Sequence, residues 1–121
     1  MSDRVRAIRG ATTVDHDEAH EVLAATGELL AHVMRENGLA PDDMISILFT
    51  VTADITSQFP AVAAREMGLA GVPLMCASEI PVQGSLPLCI RLMVHAYMPT
   101  DRPVAHAYLR QAVTLREDLS R

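Results

Sequence analysis

One arginine, Arg91, interrupts the apolar run LPLCIRLMVHAY at residues 86–97, which has the composition of a β-strand. An unpaired charge is very unfavourable when buried, so Arg91 requires an anion from the protein or from a ligand. Strand alternation places it on the face of Cys89, Met93 and His95, away from the more apolar face of Leu88, Ile90, Leu92 and Val94. The pattern by itself favours an exposed or carboxylate-paired arginine, and it leaves open a second, partly polar cavity.

Arg9 occupies a similar position in the first predicted strand, immediately before Gly10. Two arginines on neighbouring strands repel each other unless an anion lies between them, which favours a carboxylate-bearing ligand. All 10 basic residues are arginine. The absence of lysine excludes Schiff-base, pyridoxal phosphate and P-loop chemistry, and arginine is the side chain whose planar fork matches a carboxylate.

Other candidate groups predict little chemistry. His16 and His20 have the four-residue spacing of a helical metal site, but no third ligand is evident. The cysteines Cys76 and Cys89 do not form a C-x-x-C pair, and no serine lies in a G-x-S-x-G motif. The isolated histidines His32, His95 and His106 are interpreted as structural. We therefore predict no metal and no cofactor.

The composition limits the partners. A chain of 121 residues predicts one domain, residues 1–121. Its net charge of -5 and its few aromatic residues argue against a nucleic-acid partner. The charged N-terminus MSDRVRAIRG resembles no signal peptide, and no apolar run reaches membrane-spanning length. The expectation is a cytoplasmic protein without a membrane partner.

Hydrophobic periodicity predicts an α+β protein with a mixed sheet, one long helix on one face and additional short helices. A capping box of Asp15 and Glu18 is expected to start the long helix, which stops at Asn37-Gly38. The other elements are strands 4–12, 45–54, 72–80 and 86–97 and short helices 58–68 and 102–113. The second sheet face then needs a partner, which suggests oligomerisation.

Five segments that span nearly the whole chain are RAIRGATTV, FPAVAARE, VPLMCASEI, SLPLCIRLM and AYLRQAVTLREDL. In these segments and in their order, the chain resembles the monofunctional chorismate mutases of the trimeric α+β type, a family distinct from the all-helical chorismate mutases. The resemblance implies an isomerase that converts chorismate to prephenate in the shikimate pathway of phenylalanine and tyrosine biosynthesis. It also implies that the sheets of three subunits pack into a pseudo-barrel, with each active site between two neighbouring subunits of the homotrimer.

The resemblance assigns residues to the site. The family's catalytic positions fall on Arg9, Cys76, Glu79, Arg91 and Tyr108, and its substrate-binding positions fall on Phe59, Ala61, Arg65, Leu74, Met75, Leu115 and Arg116. Two positions depart from the family pattern. Val62 stands where a lysine is frequent, which removes one cation from the mouth of the site, and Met75 replaces a small polar residue.

The chemistry implied by the resemblance agrees with the residue inventory. A Claisen rearrangement is concerted and unimolecular, so it requires no nucleophile, metal or redox group. Arg91 is expected to stabilise negative charge that develops on the ether oxygen, while Arg9 holds a carboxylate and Glu79 accepts the ring hydroxyl. The alternatives are a non-catalytic binding subunit, or a related trimeric metabolite-binding protein or imine deaminase that uses an interfacial arginine for a carboxylate.

Overall fold

The fold is built around a sheet of five strands, and the computed structural model describes residues 3–115. In chain order the strands are β1 (Asp3–Thr13), β2 (Met44–Val51), β3 (Leu74–Ser78), β4 (Cys89–Pro99) and β5 (Ala107–Tyr108). The α-helices are α1 (Ala19–Asn37) and α2 (Ala61–Glu66), and two 3₁₀ helices cover Pro41–Asp43 and Arg110–Leu115. The predicted α+β class with a mixed sheet is confirmed.

The strand order across the sheet is β3-β2-β4-β1-β5. The three central strands pair antiparallel, whereas β3 and β5 join the two edges in parallel. The register sets Arg91 opposite Ala11 on β1 and opposite Thr50 on β2, and it sets Arg9 opposite Met93. Arg9 and Arg91 therefore project from the same sheet face.

Helix α1 covers the other face of the sheet. Its buried residues Leu29, Leu30 and Val33 pack in one cluster with residues from the central strands, among them Ile8, Leu92 and Val94. The helix begins at Ala19, and its N-cap Glu18 makes no side-chain capping bond. The predicted Asp15–Glu18 capping box is therefore wrong.

Glu21, in the first turn of α1, instead binds the loop that precedes the helix. Its Oε1 accepts the backbone N–H groups of Asp15 and His16, each at 3.2 Å. The reason is that α1 starts four residues after Asp15, so the carboxylate that can reach back to the loop comes from the first helical turn. The same shift leaves His16 outside the helix.

Apolar side chains also project from the face that α1 leaves uncovered. Val5 is 50% exposed, Tyr97 51% and Met75 67%, and Leu48 lies between them. Within residues 3–115 no element packs over these side chains. A cluster of exposed large apolar groups on a sheet face is typical of an interaction surface.

The segment after β4 differs from the prediction. A short helix was expected over residues 102–113, but the chain is extended, pairs as β5 with β1 and only then forms the 3₁₀ helix. The cause is tertiary: Leu109 donates to the carbonyl of Ala11 at 2.9 Å, and Asn37 binds the backbone of Ala105. Edge pairing and a buried amide override the helical preference of the segment.

Asn37 is the buried connector between α1 and this segment. Its Nδ2 donates to the carbonyls of Val33 and Ala105, both at 2.9 Å, and its Oδ1 accepts the N–H of Ala105 at 2.8 Å. Gly38 follows with a left-handed backbone (φ 62°), and a Cβ there would collide with the guanidinium of Arg102. That guanidinium donates to the carbonyl of Asn37 at 3.1 Å.

We expect Asn37→Ala to lower the free energy of unfolding by about 2 kcal/mol, because it leaves partly buried backbone groups of Ala105 unpaired. Urea unfolding followed by circular dichroism measures the change. Glu36→Ala, at an exposed neighbouring position, is the matched control and should change stability by less than about 0.5 kcal/mol. A similar small effect for both variants would contradict the assigned role of Asn37.

Candidate active site

Two predicted site arginines meet in one cavity on the sheet face that α1 leaves uncovered. This arginine cavity, of about 220 Å³, is lined by Arg9, Arg91 and Tyr108 together with Thr50 and neighbouring strand residues. Arg91 stands on the central strand β4, and Arg9 stands on β1 beside it. Both guanidiniums are therefore carried by rigid strands, and the cavity is suited to an anionic ligand.

Arg91 has a carboxylate partner within its own chain. Its Nε lies 3.2 Å from Oε2 of Glu79, and the side chain is 37% exposed. The Nε–H is buried and does not point at this oxygen with hydrogen-bond geometry, so it has no hydrogen-bond partner in residues 3–115. Both readings left open by the sequence therefore apply: Arg91 is paired with a carboxylate and it also faces a cavity.

Glu79 follows β3 directly and is held by β2. Its N–H donates to the carbonyl of Val51 at 2.9 Å, and its Oε2 accepts the hydroxyl of Thr50 at 2.6 Å. The strand pairing thus sets the carboxylate above Arg91. Sequence reasoning missed Thr50, although alternation along ISILFTVTAD places it on the same face as Leu48 and would have indicated that it faces the arginines.

Tyr108 contributes a buried hydroxyl group to the site. It lies on β5 and lines the arginine cavity, and its hydroxyl is buried without a hydrogen-bond partner in the described part of the chain. A buried hydroxyl is unfavourable unless it is paired. A ligand oxygen in the cavity would satisfy this group.

A second set of predicted residues lies at the opposite sheet edge. A cavity of about 300 Å³ there, which we call the β3 cavity, is lined by Phe59, Ala61, Arg65, Leu74, Met75 and Cys76. It shares no lining residue with the arginine cavity. Cys76 pairs with Phe49 and contacts the core under α1, so its side chain lies on the other sheet face from Arg91. Within one chain the structure does not bring Cys76 to Arg91.

The two remaining predicted residues lie at the C-terminal end. Leu115 is half-buried and packs, with Tyr108, against the cluster of Ala11, Cys89 and Ala112. Leu115 therefore lies next to residues that line the arginine cavity. Arg116 lies outside the described residues.

His106, interpreted as structural, supports Arg9 directly. Its Nδ1 accepts the backbone N–H of Arg9 at 2.9 Å. Partial burial lowers the pKa of His106 below its ordinary value, and the positive charges of Arg9 and Arg6 lower it further. The neutral ring, with Nδ1 as the acceptor, is therefore the form that the fold favours.

His16 and His20 do not lie on one helix, so their four-residue spacing does not place them on a common helical face. His16 lies before α1 and its Nδ1 is 3.0 Å from Glu21, whereas Nε2 of His20 is 3.4 Å from Glu18. Oxygen and nitrogen atoms of His16, Glu18 and Glu21 gather within 4.8 Å of one another. Exposed groups of this kind commonly form solvated ion pairs, and nothing in this group connects it to the arginine cavity.

Comparison with known proteins gives a consistent result over nearly the whole chain. The family model described as chorismate mutase type I matches residues 5–119. The chain is 49% identical over 119 residues to chorismate mutase AroH of Thermus thermophilus, covering 95% of this chain and 96% of that protein. It is 43% identical to chorismate mutase AroH of Bacillus subtilis (strain 168), covering 96% and 93%.

A solved structure agrees with the sequence relatives. The chorismate mutase from Clostridium thermocellum superposes with a TM-score of 0.85 at 49% sequence identity, over 90% of this chain and 98% of that one. The family model, the named relatives and the fold all indicate the same enzyme class. None of the helices in residues 3–115 is long and apolar enough to cross a membrane.

We expect acidification to weaken the fold through His106. Because its folded pKa is lowered, the stability linked to it is present above the unfolded value of about 6.5 and is lost as the pH falls through the folded pKa. Urea unfolding at pH values from about 7.5 to 5.5 measures this loss. His106→Gln should flatten the dependence, whereas His20→Gln, at an exposed position, should not. An unchanged pH dependence in His106→Gln would contradict the assignment.

Proposed function

Since the chain belongs to the type I chorismate mutase family and is a chorismate mutase, we propose that the arginine cavity is the catalytic half of its active site. The enzyme is an isomerase that converts chorismate to prephenate. The related metabolite-binding proteins and imine deaminases are not favoured, because the named relatives are chorismate mutases. A place in aromatic amino-acid biosynthesis in the cytoplasm is part of the same proposal, as is a single domain spanning residues 1–121.

The observation that carries the proposal is a guanidinium fixed on the central strand beside an open anion site. In the rearrangement the ether bond lengthens and its oxygen gains negative charge. Arg91 lies on β4 beside Glu79, so its guanidinium is preorganised to stabilise the negative charge on that oxygen. A fixed cation that interacts more strongly with the transition state than with chorismate lowers the barrier without a covalent step.

The other groups of the cavity bind and orient the dianion. Arg9 and the buried hydroxyl of Tyr108 are suited to bind a carboxylate, and binding it favours the folded conformer in which the reacting carbons meet. Glu79 accepts a hydrogen bond from the ring hydroxyl and offsets positive charge that develops on the ring. Leu115 extends the wall beside Tyr108, and Arg116 attracts the dianion.

We propose that the site is completed by a neighbouring subunit in a homotrimer. Arg9 on β1 and the residues on β3 lie three strand spacings apart, about 14 Å, which favours separate halves of a site over one joint pocket. The β3 cavity supplies the second half, with Phe59 and Met75 as exposed apolar walls, Ala61 and Leu74 behind them, and Arg65 at the mouth. Cys76 belongs to this half.

The uncovered apolar sheet face supports the same assembly. Val5, Leu48 and Tyr97 are large apolar side chains that a second and third sheet would remove from water. The family resemblance implies this packing of three sheets into a pseudo-barrel. The substitution of Val62 for a frequent lysine leaves Arg65 as the cation of that half.

We expect Arg91→Ala to reduce kcat by at least about 100-fold, because it removes the fixed donor for the ether oxygen. The loss of chorismate absorbance measures the rate, and circular dichroism verifies the fold. Arg35→Ala, at an exposed position on α1, is the matched control and should retain full activity. A decrease in kcat smaller than about tenfold would show that Arg91 does not have this role.

A mixing experiment tests the shared site. Arg91→Ala inactivates one half and Arg65→Glu the other, so each variant alone should be nearly inactive. When equal amounts of the two variants are dissociated and reassembled at random, about three quarters of the trimers contain both variants. Each of these mixed trimers has one intact site of three, so the mixture should recover about one quarter of wild-type activity. Mixtures without any gain in activity would contradict an active site formed between subunits, and sedimentation reports the assembly state.

A further inference from the structure

We propose that Thr50 is a positioning residue for the rearrangement: its hydroxyl orients the Glu79 carboxylate, and the carboxylate in turn orients Arg91. This inference rests on the proposed function of the arginine cavity. It adds a residue that neither the family resemblance nor the strand pattern had assigned. The contact that carries it is the 2.6 Å hydrogen bond from Oγ1 of Thr50 to Oε2 of Glu79.

The same carboxylate oxygen has two partners. Oε2 of Glu79 accepts the Thr50 hydroxyl and also lies 3.2 Å from Nε of Arg91. The Arg91 contact lacks hydrogen-bond geometry, so charge attraction alone would leave the flexible Glu79 side chain free to rotate. The short bond from a neutral donor to a charged acceptor is directional and removes this freedom.

The backbone makes Thr50 well placed for this task. Thr50 pairs directly with Arg91 across β2 and β4, and the neighbouring residue Val51 accepts the backbone N–H of Glu79. One strand therefore holds both the main chain and the side chain of Glu79. A β-branched threonine in a strand has a restricted χ1 angle, which fixes its hydroxyl at little entropic cost.

The arrangement also decides which carboxylate oxygen is available to a ligand. Thr50 and Arg91 contact Oε2 of Glu79, and Oε1 takes part in no hydrogen bond within residues 3–115. Oε1 is therefore the oxygen offered to the ring hydroxyl of chorismate. If Thr50 cannot donate, nothing distinguishes Oε1 of Glu79 from Oε2. The orientation of the carboxylate toward the ring hydroxyl of chorismate is then less well defined, and so is the orientation of the Arg91 guanidinium.

Thr50→Val is the decisive variant because it keeps the shape and removes the donor. We expect kcat to fall by about tenfold or more, with a smaller change in KM, since Thr50 acts through Glu79 and Arg91. Thr50→Ser keeps the hydroxyl and should recover most of kcat. Thr26→Val is the matched control, because the hydroxyl of Thr26 is buried in α1 and has no hydrogen-bond partner among the described residues. This variant should keep full activity.

A double-mutant cycle separates this role from a general structural one. In a Glu79→Ala background, Thr50→Val should have little further effect on kcat, because the group that it positions is absent. Independent, multiplicative losses would overturn the proposal, as would a Thr50→Val enzyme with unchanged kcat or a Thr50→Ser enzyme as impaired as Thr50→Val. Thr50→Ala provides the same comparison if Thr50→Val does not fold.

The controls distinguish this proposal from the proposed function. If Arg91→Ala retains kcat, the assignment of the arginine cavity fails, whatever Thr50 does. If Arg91→Ala is inactive while Thr50→Val is fully active, only the positioning role fails. Melting temperatures of all variants, measured by circular dichroism, verify that the kinetic changes are made in folded protein.

Discussion

The placement of Arg91 on the central strand is the constraint on which the rest of the structure depends. A guanidinium in a largely apolar strand needs an anion. The chain provides Glu79 at 3.2 Å, held by Thr50 and by the backbone of β2. Because Arg91 lies on β4 and Glu79 is bound by the adjacent strand β2, the two charged groups are held in a fixed relative position. That rigidity makes a charge at this place useful for catalysis, since preorganised groups need no rearrangement when charge develops.

The two sheet faces have different tasks, and this division explains the composition of the chain. One face packs against α1 and supplies the stability of the core through residues such as Ile8 and Val94. The other face carries the arginines and several exposed apolar side chains. We propose that neighbouring subunits cover it, so the same surface would provide both the assembly contact and the active site.

Hydrophobic periodicity predicted much of the fold, but it predicted the wrong structure for the segment after β4. The alternation around Arg91 and the helical stripe of α1 were predicted, because both patterns report burial on one side of an element. The segment 102–113 was predicted as a helix and is instead extended through Ala107–Tyr108. Asn37, distant in sequence, holds it in place. Local propensity contains no information about a hydrogen bond to a residue some 70 positions away.

The sequence by itself determined the residue types: arginines in place of lysines, the apolar faces, and the segments that resemble chorismate mutases. Only the tertiary structure decided which groups meet. It joined Glu79 and Thr50 to Arg91, set His106 against Arg9, and separated Cys76 and Arg65 from the arginine cavity. The physical reason is that strand order and register, which arise from packing across the whole sheet, fix distances between residues that are remote along the chain.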